Sequence, residues 1–589
     1  MAPDEPVDLI ELRVLDGPNL YFTRPAIKLT LSAKRWVEAD EAMVLEAALR
    51  LKMRGAARAA ARPRADPPAA GTARPGPAGS DRRLRFVVRI GAHVTRELAR
   101  ATGTHLAVRS RPGSEPGEIV VAFPWRRRTA AEAFGREVAG VFSSSLESSA
   151  IESLMRGAVQ RLAEVEPGPG PAVPDPAIPV IAVTGTNGKT TTVRLLAHLI
   201  RSAGLTVAYS STDGVYVNGE RVEEGDYSGF GGAGMALSQD GVEAAVLETA
   251  RGGILLRGIG TLHNDVAIVT NVSADHLGLH GIHTLDQLAE VKSTILRITK
   301  TAGWDVINAD DPRVLAMRRV ARGRPWLFSL DPDHPALRSV LGENGRAMTV
   351  TDGALSVWVP GREPHPLLAV EDIPVTLAGI SKQHLQNAMA ATAAALGIGL
   401  ERDAVVEGLR SFVLDPESNP GRANLFELED RIVVVDYAHN EAGMEGLVDV
   451  ARGLRRRGEV WLTFGSAGDR SDEIVHGLGF IAARGADHVG VSELLRYLRG
   501  RNRDELTRRL VAGAEDGGAT DVPVFPDELH ALQWMLDESK PGDVLALTAL
   551  GQRPEIFAFL QERRAERIGP ARCREIVLEA READPRPQD

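Results

Sequence analysis

The chain has 589 residues, and one hydrophobic core organises roughly 100–200 residues, so about three or four domains are expected. Hydrophobic residues make up 43% and charged residues 25%, which is typical of a globular protein, and the net charge of −10 argues against a dedicated nucleic-acid binder. The single cysteine, Cys573, excludes an internal disulfide framework and a cysteine-based zinc cluster.

Membrane and export signals are not expected in this sequence. No stretch approaches the roughly 18 apolar residues of a membrane span. The amino terminus carries acidic residues where a secretory signal carries basic ones. We therefore expect a cytoplasmic enzyme with no membrane partner and no nucleic-acid partner.

Two low-complexity segments punctuate the first third of the chain. Residues 54–80 are mostly Ala, Arg, Pro and Gly, which predicts a flexible insertion, and residues 165–178 are a Pro/Gly-rich linker. Residues 1–164 are expected to form a small α+β domain around the insertion. Its predicted elements are a strand over 84–94 that runs into a helix, a second strand over 117–125 and a helix over 130–146.

From residue 179 the pattern becomes that of a parallel α/β sheet. The apolar run 180–184 is followed by glycines, a helix and another strand, which is a βαβ unit. Buried-strand patterns that end in polar residues follow at 244–250, 265–271 and 305–310. Ligands bind at the carboxyl ends of such strands, so we expect a site at this edge.

A second α/β alternation begins near residue 431, after a hinge over 419–430. The sequence therefore predicts an α/β fold with a central nucleotide-binding domain over 179–418 and a Rossmann-like carboxyl-terminal lobe over 419–589.

A glycine-rich loop between a predicted strand and helix is the strongest chemical signal. Backbone N–H groups in such a loop cradle phosphate oxygens, the lysine adds a positive charge, and the Thr190 hydroxyl can bind Mg²⁺. Val183 stands where the usual phosphate-loop pattern begins with glycine, and the alternative is a turn that only packs a helix on a sheet. The predicted nucleotide-binding residues are Gly185, Thr186, Asn187, Gly188, Lys189, Thr190 and Thr191.

Glu248 follows a buried strand, where a carboxylate is costly unless it is paired or bound to metal. A metal ligand is the favoured interpretation, and a helix cap is the alternative.

The loop TGTNGKTT resembles the ATP-binding loop of the Mur ligase superfamily, and further matches follow in the order of that family. The resemblance implies ATP and Mg²⁺ as cofactors, with Thr190, Glu248 and His276 as metal ligands. The resemblance places Lys292 at the position of a lysine that is carbamylated in many members. The alternative is an ordinary lysine on a helix face that points to solvent. His384 and Asn387 resemble the stretch that contacts adenine, Arg422 the linker arginine that reaches the γ-phosphate, and Asp436 the aspartate of the carboxyl-terminal lobe.

Within the superfamily, phrases such as VLETARGGILLRG and NPGRANLFE resemble the ligase half of the cyanophycin synthetase family. The amino-terminal stretch IELRVLDGPNLYFTRPAIKLTL is similar to the start of that family, whose members place an ATP-grasp domain between the two regions. Here the linker leads directly into the phosphate loop, so the activity of that domain is not carried over.

The resemblance implies an ADP-forming amide or isopeptide ligase that activates a carboxylate as an acyl phosphate. Its substrates would be a small-molecule amino acid and a peptide-like or polymeric acidic acceptor, held by the amino-terminal domain, and it suggests a homo-oligomer. Lys189 and Arg422 would oppose the charge that develops on the transferred phosphoryl group. His276 and a carbamylated Lys292 would hold a second cation.

Two alternatives remain open. One is a ligase of the folylpolyglutamate or peptidoglycan type, which adds an amino acid to a different carboxylate. The other is a non-catalytic ATP-binding subunit that works beside a separate ATP-grasp protein.

The pair Asp469-Arg470 resembles a family motif of the last lobe, and the resemblance implies contact with the incoming amino substrate.

Overall fold

The computed structural model describes residues 8–54, 56, 74–275 and 277–583. They form two compact units. The first unit comprises Met1–Asp175, Arg251–Leu262 and His280–His283, and the second comprises Pro176–Ala250, His263–Leu279 and Thr284–Asp589. Most of the predicted insertion over 54–80 lies outside the described residues.

The first unit is an antiparallel sheet covered by helices. Its strand order is β1-β2-β4-β3, with β1 at Leu9–Leu15, β2 at Ala26–Ser32, β3 at Arg109–Pro112 and β4 at Glu118–Pro124. Its helices are α1 Lys34–Glu38, α2 Glu41–Arg50, α3 Asp81–Ala101, α4 Arg128–Ser145 and α5 Ile151–Ala163, with a short helix at Arg251–Leu256. The predicted strand over 117–125 and helix over 130–146 are confirmed as β4 and α4.

The strand predicted over 84–94 is wrong, because these residues belong to helix α3. Ser80 caps the helix by accepting a hydrogen bond from the backbone N–H of Arg83. Phe86, Ile90 and Val94 recur every four residues and are all buried, which is the period of a helix face. The β-branched residues between them had favoured a strand, and tertiary packing overrides that local preference.

The larger sheet of the second unit has eleven strands within the described residues, in the order β15-β14-β13-β12-β11-β10-β5-β9-β6-β7-β8. The strands β13 to β10, β5, β9 and β6 run parallel, and hairpins form both edges. The strands are β5 Val180–Thr184, β6 Val207–Ser211, β7 Gly214–Val217, β8 Glu220–Glu224, β9 Ala244–Glu248, β10 Asn264–Val269, β11 Thr299–Asn308, β12 Arg324–Phe328, β13 Arg346–Thr351, β14 Ala354–Trp358 and β15 His365–Ala369.

Helices cover this sheet and form its core with the buried faces of the strands. They are α6 Lys189–Ser202, α7 Phe230–Leu237, α8 Leu285–Lys292, α9 Pro312–Ala316, α10 Pro335–Gly342, α11 Lys382–Gly397 and α12 Arg402–Ser411. The alanine-rich helix α11 is buried along most of its length, which lets it pack closely against α6 and the sheet.

A second, seven-stranded sheet of the described chain has the order β20-β19-β18-β21-β17-β16-β22. Its strands are β16 Asn424–Leu428, β17 Arg431–Asp436, β18 Val460–Phe464, β19 His488–Ser492, β20 Val524–Phe525, β21 Val544–Thr548 and β22 Glu566–Arg567. Its helices are α13 Glu441–Gly453, α14 Asp472–Gly485, α15 Arg503–Asp516, α16 Glu528–Glu538, α17 Arg553–Glu562 and α18 Pro570–Ala583. We call residues 419–583 the carboxyl-terminal lobe.

The predicted α/β class, with two largely parallel sheets, is confirmed. Parallel pairing aligns the carboxyl ends of β5, β9 and β10, because Val183 lies opposite both Glu248 and Ile268. This edge is where the predicted site residues should meet. Among the described residues, no helix has the length and hydropathy needed to span a membrane.

Candidate functional site

The glycine-rich loop occupies the four residues between β5 and α6, and two of its glycines are required by geometry. A Cβ on Gly185 would lie 1.8 Å from Thr270 Oγ1. Gly188 caps α6 with a left-handed φ of +84°, and a Cβ there would lie 2.2 Å from Asn387 Oδ1. The loop is therefore packed tightly on both sides and tolerates no side chain at either position.

Asn271, two residues after the end of β10, holds the loop backbone. The N–H of Thr186 donates to the Asn271 carbonyl at 3.0 Å, and the N–H of Asn187 donates to Asn271 Oδ1 at 2.9 Å. Thr270 Oγ1 donates to the Asn187 carbonyl at 2.6 Å. Two of the amides expected to cradle phosphate are thus bonded to protein, which leaves that role to the first-turn amides of α6.

Two lysines converge on the same loop. Lys189 Nζ donates to the Thr186 carbonyl at 2.9 Å, and Lys292 Nζ donates to the Gly185 carbonyl at 2.5 Å. Lys292 is only 3% exposed, so the solvent-facing alternative for this residue is wrong. Carbonyls of the loop over 185–188 therefore accept hydrogen bonds from two lysines, which belong to two different helices.

Thr190 and Glu248 form a buried oxygen pair beside the loop. Thr190 Oγ1 donates to Glu248 Oε2 at 2.9 Å and lies 3.3 Å from Thr212 Oγ1. Glu248 is 1% exposed, and its Oε1 has no hydrogen-bond partner among the described residues. Burial raises the pKa of the Glu248 carboxyl, and the charge of Lys189 and the bond from Thr190 oppose that rise.

This pair fits a hard divalent cation, since an unsatisfied buried carboxylate oxygen and a hydroxyl are the ligand types that Mg²⁺ prefers. The predicted ligand His276 lies outside the described residues. Among the residues that are described, no group of three or more His, Cys, Asp or Glu is arranged to hold a metal ion. Thr190 and Glu248 are thus the part of the predicted ligand set that the structure brings together.

The predicted adenine-contacting residues lie on α11, directly against the loop. His384 is buried, and burial lowers its pKa to about 4, so the imidazole is neutral at physiological pH. Asn387 Nδ2 lies 3.5 Å from His384 Nδ1, while its Oδ1 fills the space that glycine leaves at residue 188. Asn387 therefore packs against the loop.

Arg422 and Asp436 lie together where the lobe begins. The Arg422 guanidinium lies 4.5 Å from the centre of the Tyr437 ring, and Asp436 Oδ2 accepts a 2.7 Å hydrogen bond from the N–H of Ala423. Burial raises the pKa of Asp436, although Arg422 acts in the opposite direction. Asp436 thus fixes the backbone that carries Arg422.

Asp213 is a site residue that the sequence did not indicate. It accepts from Arg194 at 2.8 Å and from Arg553 of the lobe at 3.3 Å. Burial alone would raise its pKa, but Arg194, Arg553 and Arg422 together hold it below the ordinary value. Its position in the TDG turn after β6 gave only a turn signal.

The lobe also contacts the loops at the strand ends through pairs that are distant in sequence. Asn187 and Asn440 exchange two hydrogen bonds of 2.9 Å. Asp275 lies 3.2 Å from Arg470 and 3.8 Å from His439. Arg470, predicted to contact the incoming amino substrate, is an ion-pair partner of Asp275 in this structure.

The first unit has its own cavity of about 490 Å³, beside the edge strand β1. Four arginines and three acidic residues line it; Arg128 and Arg257 both pair with Asp16, and Arg13 pairs with Glu11. The lining charges are thus largely balanced, which gives no independent support for an acidic ligand in this unit.

Two family models match consecutive stretches of the chain from residue 183 onward. Residues 183–395 match the family model of the Mur ligase middle domain, and residues 421–551 match that of the Mur ligase glutamate ligase domain. A solved structure of a bifunctional folylpolyglutamate synthase/dihydrofolate synthase with Mn, AMPPNP and L-glutamate bound aligns at a TM-score of 0.49 and 19% identity. The alignment covers 66% of this chain and 90% of the chain in that structure.

Two relatives show how far the similarity extends. A cyanophycin synthetase of Crocosphaera subtropica is 39% identical over 371 residues, which are 63% of this chain and 42% of that protein. A UDP-N-acetylmuramyl-tripeptide synthetase of Deinococcus radiodurans is 28% identical over 394 residues, covering 64% and 74% of the two proteins. The chain thus spans less than half the length of the cyanophycin synthetases that it matches.

Proposed function

This chain belongs to the Mur ligase family, and from that premise we propose that it is an ATP-dependent ligase that joins an amino acid to a carboxylate. The observation that carries the proposal is the buried pair Thr190–Glu248 beside Lys189. A carboxylate oxygen that no described residue bonds, next to a hydroxyl and a lysine at a helix start, is suited to Mg²⁺ and a nucleoside triphosphate.

The proposed nucleotide site uses the residues that line the loop. Thr190 and Glu248 would hold Mg²⁺, with His276 as a further ligand. Lys189 and the first-turn amides of α6 would neutralise phosphate charge. The domains we propose are 1–164, a linker over 165–178, an ATP-binding domain over 179–418 and a lobe over 419–589.

Joining a carboxylate to an amine at neutral pH needs a better leaving group than hydroxide, which ATP supplies by phosphorylating the carboxylate. The task of this chain is then to hold the reactants in position and to oppose negative charge. Arg422 supplies a positive charge from the lobe, and its backbone is held by the contact between Ala423 and Asp436. His384 and Asn387 support the loop and are proposed to border the adenine.

Lys292 is proposed to act on the loop in one of two forms. As an ammonium it donates to Gly185 and adds positive charge next to the phosphates. As a carbamate it would instead hold a second cation with His276. An ammonium cannot bind a cation, because it has hydrogen-bond donors only.

The acceptor is proposed to be a peptide-like acidic chain, as in the resemblance to cyanophycin synthetases. The identity of 39% over 371 residues supports this acceptor over a folate or a peptidoglycan precursor. A homo-oligomer is proposed on the same resemblance.

The test is phosphate release from Mg·ATP by the purified protein, with a panel of amino acids and with or without an aspartate-rich peptide. We expect release that requires both the peptide and one amino acid, and a product whose mass has grown by that residue less water. Release with a folate or a muramyl peptide instead would reassign the acceptor. Tight ATP binding that Lys189→Ala abolishes, without turnover for any pair, would favour the non-catalytic subunit.

A further inference from the structure

We propose that Asn440 is a positioning residue that fastens the carboxyl-terminal lobe to the nucleotide loop through Asn187. The two side-chain amides face each other, and each Nδ2 donates to the other Oδ1 at 2.9 Å. Asn440 is fully buried and Asn187 is 9% exposed, so water does not compete freely for these bonds. The two residues are 253 positions apart in the chain.

Each residue of the pair is fixed by its own domain. The backbone of Asn187 is held by Thr270 and Asn271 of the central domain. The Oδ1 of Asn440 also accepts from the N–H of Gly443, which makes Asn440 the cap of helix α13. The pair therefore connects the start of a lobe helix directly to the phosphate-binding loop, and neither residue needs the other to keep its local backbone shape.

The chemistry of the pair makes it selective for one arrangement of the two domains. Two amides bond reciprocally only when they face each other in register, and a displacement of about 1 Å breaks both bonds. Separation would expose both amides to water, so the pair contributes only while the lobe is docked. The pair is also neutral, so its strength does not depend on pH in the physiological range.

This inference rests on the proposed function in one respect, since turnover is expected to require Lys189 of the central domain and Arg422 of the lobe together. If the pair holds the lobe in place, its loss should lower kcat and leave ATP binding to the loop nearly unchanged. A merely structural cap would instead affect stability and leave kcat unchanged.

The test variant is Asn440→Ser, because serine still caps α13 but cannot make two bonds to Asn187. Asn502→Ser is the matched control, since Asn502 is an exposed cap of α15 in the same lobe. We expect kcat to fall about tenfold in Asn440→Ser, with the Kd for ATP within about twofold, and both values to be unchanged in Asn502→Ser. Equal losses in the two variants would overturn the proposal.

A double-mutant cycle separates the pair from the direct role of Asn187 in the loop. Asn187→Ala and Asn440→Ser should each lower the melting temperature without nucleotide, and the double variant should lower it by clearly less than the sum. Additive effects would show that the two side chains do not depend on each other and would overturn the proposal.

A third measurement needs no enzymatic activity, so it separates failure of this inference from failure of the proposed function. Spin labels at Glu220→Cys and Glu538→Cys report the distance between the central domain and the lobe, since both sites are exposed and Cys573 is buried. We expect one narrow distance distribution in the parent protein and a broad one after Asn440→Ser. An unchanged distribution would overturn the proposal even if the protein proves to be a ligase.

Discussion

Each of the two large sheets has an inner strand that ends in a carboxylate, Glu248 in β9 and Asp436 in β17. Burial raises the pKa of both groups, yet their partners differ. Asp436 accepts a backbone N–H at 2.7 Å, whereas Glu248 Oε1 has no hydrogen-bond partner in the part of the chain that the structure describes. The same position in a sheet thus has two environments. One carboxylate is held by a backbone donor, and the other keeps a buried oxygen that no described residue bonds, which is the basis of the ligand role proposed for it.

The largest expected effect comes from removing the charge of Glu248. Glu248→Gln keeps the size of the side chain and an acceptor for Thr190, but it removes the negative charge proposed to bind Mg²⁺. We expect kcat for phosphate release to fall by about a hundredfold or more, with a melting temperature no lower than that of the parent. Full activity in this variant would show that Glu248 does not bind Mg²⁺ and has only a structural role, as Asp436 has when it holds the backbone of Ala423.

The next largest effect is expected from removing the Lys292 amino group, which donates to the same glycine-rich loop. Lys292→Met preserves the aliphatic stem but leaves the Gly185 carbonyl without its donor, and we expect turnover to fall about tenfold or more. ¹³C NMR of the parent protein under added ¹³CO₂ at neutral pH decides between the ammonium and the carbamate, because only the carbamate gives a protein-bound ¹³C signal that Lys292→Met loses. Unchanged turnover in the variant would remove Lys292 from the proposed site.

The variant Asp436→Asn tests the second carboxylate, which accepts a backbone hydrogen bond. The asparagine keeps one acceptor and turns an amide group toward backbone donors, so we expect the free energy of unfolding to fall by about 1 kcal/mol. Chemical denaturation measures this change. The variant should still respond to Mg²⁺ as the parent does, and a lost response would show that Asp436 shares the cation site.

The smallest expected effect is on the pH dependence of stability. A carboxyl whose pKa is raised in the folded state binds its proton more tightly there, so the free energy of unfolding falls as pH rises from about 4.5 through the raised pKa. Glu248→Gln should flatten this fall in thermal melts without Mg²⁺. Mg²⁺ should stabilise the parent more as pH rises, because it binds the ionised carboxylate. An equal Mg²⁺ response at every pH would contradict this.

Local patterns allowed much of the site to be predicted. The phosphate loop lies within seven consecutive residues, and Glu248 ends an apolar run, so strand and helix periodicity placed both correctly at the edge of the sheet. Lys292 could not be placed in the same way, because a lysine on a short helix has the same pattern whether it faces solvent or the loop.

The contacts that the sequence did not predict are the long-range polar ones. Asn187 and Asn440, or Asp213 and Arg553, are ordinary polar residues whose pairing depends on how two domains meet, and no local period encodes that. The wrong prediction of a strand over 84–94 has a different origin. The β-branched residues there favour a strand, but packing of buried residues four apart stabilises a helix instead.

The strand order of the lobe has a consequence for how the chain folds. Strand β21 lies between β17 and β18. Ile432 and Val460 both pair with Val544, which lies 112 and 84 residues later in the chain, so both apolar strands lack this partner until that segment has been made. Until β21 inserts, the edges of β17 and β18 are open to pairing with other chains. We therefore expect folding of the lobe to be completed only after β21 has left the ribosome. Folding intermediates that lack β21 should be the species that aggregate.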